Sequence, residues 1–105
     1  MSYEKTILRR KMKSIIDCMM VTDRYDKGIA LTFRKEMIIN ARKLLEPTTS
    51  KLVEELMLYI DQINYTGELH TCWSKVGESF ERLTLMAYTD RELYRFFMDA
   101  AQVIE

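Results

Sequence analysis

Glycine and proline are nearly missing from this chain, with three of one and one of the other in 105 residues. Both interrupt helices, so their scarcity, beside plentiful Leu, Met, Glu, Lys and Arg, favours helical structure. Long apolar runs are missing too. The longest, Leu56 to Ile60, falls far short of the roughly 20 residues that span a bilayer. Residues 1–13 are charged and hold no apolar signal core, so the chain reads as soluble, cytoplasmic and not exported by a cleaved signal. No fixed-period repeat and no low-complexity tract is present.

Little of the residue chemistry that catalysis needs is there. The single histidine, His70, stands two residues from Cys72. A zinc site would need two further ligands. Side chains two apart on a helix do not face each other, which disfavours a Cys–His nucleophile and base. A di-iron bundle wants two Glu-x-x-His motifs, and none occurs. Gly28, Gly67 and Gly77 are isolated, so no phosphate-cradling loop can be read. The expectation is a chain that is not an enzyme and carries no cofactor and no metal. Cys18 and Cys72 lie far apart with no CxxC between them, and read as two buried thiols.

What is present is helical periodicity. Apolar residues make up 48% of the chain, too many for disorder, and its length suits a single helical domain over residues 1–105 with one core. Leu69, Trp73, Val76, Phe80, Leu83 and Ala87 form an unbroken seam at spacings of four and three. The only tryptophan sits on it, so the other helices are expected to pack there. Gly77 in mid-helix suggests a bend or the close approach of another backbone.

The remaining elements follow in order. Helix 1 is predicted from Tyr3 to about Thr22, with Leu8, Met12, Ile15, Ile16 and Met19 inward. A polar turn follows at residues 23–28, where Gly28 can take positive φ and Tyr25 can reach back to the core. Helix 2 covers about Ile29 to Leu45, with a short strand over Gly28 to Phe33 as the alternative. Pro47 breaks the pattern, and Thr48, Thr49 and Ser50 are good N-cap types for a helix from Thr49 to Asn64. Residues 64–67 close that helix, and the seam helix starts between Thr66 and Thr71. Thr89-Asp90-Arg91-Glu92 reads as a capping box, with Tyr88 and Leu93 as its hydrophobic staple, opening a last helix from Asp90 to about Val103. The fold class expected is all-α, a small antiparallel bundle of four to five helices with short turns.

Charge is balanced overall but segregated. Residues 1–46 hold eleven Lys/Arg against six Asp/Glu, and residues 47–105 hold five against ten. Either basic and acidic helices face each other, or the basic half binds a partner. Lys5, Arg9, Arg10 and Lys13 would form such a face, extended by Arg34, Lys35, Arg42 and Lys43. Apolar residues also spill beyond single stripes, at Leu31, Ile38 and Leu45 on helix 2 and at Tyr94 and Met98 on helix 5. A chain this short has little interior for both second stripes, so a homodimer that buries one of them is expected. Eight methionines suit either adaptable core filling or a partner groove. The function expected is a non-enzymatic interaction protein (a regulator, inhibitor, immunity-type factor or chaperone) docking on a protein partner. The alternative is a nucleic-acid-associated accessory factor using the basic N-terminal helices. A pI near 6.6 weighs against the alternative, and Glu54 and Glu55 at the start of helix 3 weigh against a helix-turn-helix.

Overall fold

Residues that lose little rotamer freedom in a helix dominate the chain, and it forms five helices. They are α1 (Ser2–Met19), α2 (Lys27–Leu44), α3 (Pro47–Thr66), α4 (Leu69–Ala87) and α5 (Arg91–Ile104). The computed structural model describes the backbone of residues 2–20, 27–66 and 69–105, and within these the side chains of all but 2–4, 66 and 69–72. Among the described residues there is no strand, and no helix is long and apolar enough to cross a membrane. The all-α reading therefore holds. Gly28 to Phe33 is helical, with Gly28 at the second position of α2 and not in a turn. The predicted turn at residues 23–26, including Tyr25, and Gly67 lie outside the described residues.

α4 packs against α1, α3 and α5, three of the four other helices, and α1 forms a second buried element. Leu8, Met12, Ile15, Ile16, Cys18 and Met19 are all buried, and α1 packs against α2, α4 and α5. On the α4 seam Val76, Leu83 and Ala87 are buried, Phe80 is half-buried, and Trp73 is 44% exposed. Leu69 falls outside the described side chains. The spacing gave the direction of the apolar face correctly. It carried no information on how far along α4 the neighbouring helices reach. Of the two readings of Gly77, the close approach of another backbone does not hold: a Cβ built there would meet nothing within 4 Å.

The helix ends have clear local causes. Pro47 occupies the first position of α3, where its missing N–H costs nothing and its fixed φ suits the helix. The Ser50 amide then donates to the Glu46 carbonyl at 2.8 Å, so Thr48 to Ser50 lie inside the first turn and do not cap it. Between α4 and α5 the chain does break at Thr89, but Thr89 is not the N-cap. Its hydroxyl donates back to the Met86 carbonyl at 3.2 Å and closes α4. Asp90, in extended conformation, caps α5, its carboxylate accepting from the amides of Glu92 at 3.0 Å and Leu93 at 3.2 Å. A carboxylate there also answers the positive end of the helix dipole, which a threonine cannot do.

One core joins all five helices. From α5, Leu93, Phe96, Phe97 and Ala101 enter it, with the two phenylalanine rings edge-to-face at 5.4 Å. Thr84 is fully buried on α4, and its hydroxyl donates to the Phe80 carbonyl one turn back at 2.6 Å.

Candidate functional site

The segregated charges meet within the molecule. Four ion pairs join a cation from residues 1–46 to an acid from residues 47–105: Arg9–Glu81, Lys11–Glu105, Arg34–Asp61 and Arg42–Glu54. Arg9 grips Glu81 with both terminal nitrogens, at 2.6 and 2.8 Å. That fork lifts the guanidinium pKa further above its ordinary value and holds the Glu81 carboxyl below its own. Lys5 lies over the Tyr88 ring, 4.8 Å from its centre. Of the predicted basic face, then, Arg9 and Lys5 are engaged with α4 and with the turn that follows it. Arg10 and Lys13 are exposed and form no ion pair among the described residues. The extension through α2 does not form a free patch: Arg34 is buried and Arg42 is paired, leaving Lys35 and Lys43 exposed.

Arg34 carries the most specific polar arrangement in the fold. Its guanidinium donates to the Met19 carbonyl at 2.9 Å and to the Asp61 carboxylate at 2.8 Å. Asn64 donates its side-chain amide to the same Met19 carbonyl at 2.9 Å. Met19 is the last residue of α1, so a cation from α2 and an amide from α3 together satisfy an open helix end. Sequence reading placed Arg34 on a surface patch and gave Asp61 and Asn64 no role. The available signal was position: Arg34 falls one residue after Phe33 and three before Met37, on the edge of the buried stripe.

Apolar side chains show a second pattern. Nine large ones are exposed among the described residues, and Ile29, Leu31, Ile39 and Leu44 all lie on α2. Leu31 and Ile38 line a groove of about 400 Å³ between α2 and α3, together with Arg34, Lys35, Glu54, Met57, Leu58 and Asp61. Leu44 shares a smaller groove with Val103, Phe96 and Ala100 of α5. The other predicted contact residues sit elsewhere. Leu45 is buried in the core: its amide still donates to the Ala41 carbonyl one turn back at 3.0 Å, which carries it round to the buried side of α2. Tyr94 and Met98 are half-buried and pack on the core, because α5 inserts with most of its circumference covered.

No group of three or more metal-ligating residues occurs among the described residues. Cys18 is buried, and burial pushes its thiol up. His70 and Cys72 lie outside the described side chains. Comparison with known protein families, with curated proteins and with solved structures returns no match to this chain.

Proposed function

We propose that the chain is a non-enzymatic protein that acts by docking on a protein partner, in the manner of a small regulator, inhibitor or chaperone. The observation that carries the reading is the collection of exposed apolar side chains along α2. Ile29, Leu31, Ile39 and Leu44 are 59%, 41%, 52% and 63% exposed, apolar surface that gains from being covered. Burial of such side chains contributes about 25 cal/mol per Å² removed from water, and helix faces of this kind are common docking sites. Nucleic acid is the less favoured partner. Phosphate binding draws on free cations, and Arg9, Lys11, Arg34 and Arg42 are already neutralised within the fold.

The test is affinity capture from cells that make the protein, with and without nuclease, using wild type and two exposed-site variants. Leu31→Glu with Ile39→Glu is expected to lose a nuclease-resistant protein partner, and Arg10→Glu with Lys13→Glu to keep it. Captured nucleic acid that disappears in the Arg10/Lys13 variant would overturn the reading in favour of a nucleic-acid accessory role. Self-association through the same face appears separately, as a mass that rises with concentration in sedimentation.

A further inference from the structure

We draw no further inference here: the strongest candidate, the apolar groove between α2 and α5 walled by Ile29, Phe33, Val103 and Ile104, carries nothing, because nothing in the structure shows what covers it.

Discussion

Replacing Arg34 with methionine tests whether a buried cation holds three helices together. The exchange keeps an unbranched apolar stem and removes the guanidinium. Two charge-assisted hydrogen bonds disappear, to the Met19 carbonyl at 2.9 Å and to Asp61 at 2.8 Å. A hydrogen bond to a charged group contributes about 1.5–3 kcal/mol, and a cation at a partly buried helix C-terminus up to about 2. Two effects reduce the sum. Asn64 still satisfies the Met19 carbonyl, so no buried acceptor is orphaned. The Asp61 side chain is 57% exposed and regains water, so its share is closer to that of a surface pair. The expected loss is about 2–3 kcal/mol, most of it from the Met19 contact. Asp61→Asn should cost less, under about 1 kcal/mol. Arg34→Lys should fall between wild type and methionine, since an ammonium cannot reach both acceptors in a fixed fork. Urea unfolding of the three variants, with the Arg34/Asp61 double-mutant cycle, measures each share. If Arg34→Met lies within about 0.5 kcal/mol of wild type, as ordinary surface changes do, the guanidinium is not a structural tie and the reasoning fails.

Four further outcomes follow from the geometry. Asp90→Ala should destabilise by about 0.5–2 kcal/mol in thermal unfolding, and Thr89→Ala by less, because the capping contacts to Glu92 and Leu93 belong to Asp90. Gly77→Ala should stabilise by about 0.4–1 kcal/mol, since the added methyl meets nothing and the unfolded chain loses freedom; a lowered melting temperature would show that the site is crowded. Trp73→Ala should cost clearly less than the roughly 3–5 kcal/mol of a fully buried tryptophan, and a loss in that range would place the ring in the core after all. Arg9 holds the folded-state Glu81 pKa below its unfolded value, so this pair's stabilisation is present above the ordinary glutamate range and fades as pH falls through the lowered value. Glu81→Gln should therefore flatten the acid side of the stability–pH curve slightly, an effect that about 1 M salt screens away.

Much of the fold was legible as pattern. The scarcity of glycine and proline, the stripes on α1 and α5, and the break near Thr89 all follow from local preferences that a single segment expresses alone. The candidate site was legible only in part. Leu31 and Ile38 stood out because they sit off the main stripe of α2, and they line the α2–α3 groove. Leu45, Tyr94 and Met98 stood out for the same reason, and the fold covers them wholly or partly. Periodicity assigns a side chain to a face, but whether that face meets solvent or a neighbour depends on helices distant in sequence.

The sequence alone determined that the chain is helical, roughly where each helix runs, and that opposite charges gather in its two halves. These are sums over neighbouring residues, and no partner segment is needed to read them. Which cation meets which acid belongs to the tertiary structure. Arg9 finds Glu81 and Lys11 finds Glu105 across separations of 72 and 94 residues, distances over which sequence spacing carries no angular information. The same holds for which helices pack on which, for Trp73 at the surface, and for Arg34 closing the end of α1. Each depends on how far one packed helix extends along another, which is set by the combined fit of all five.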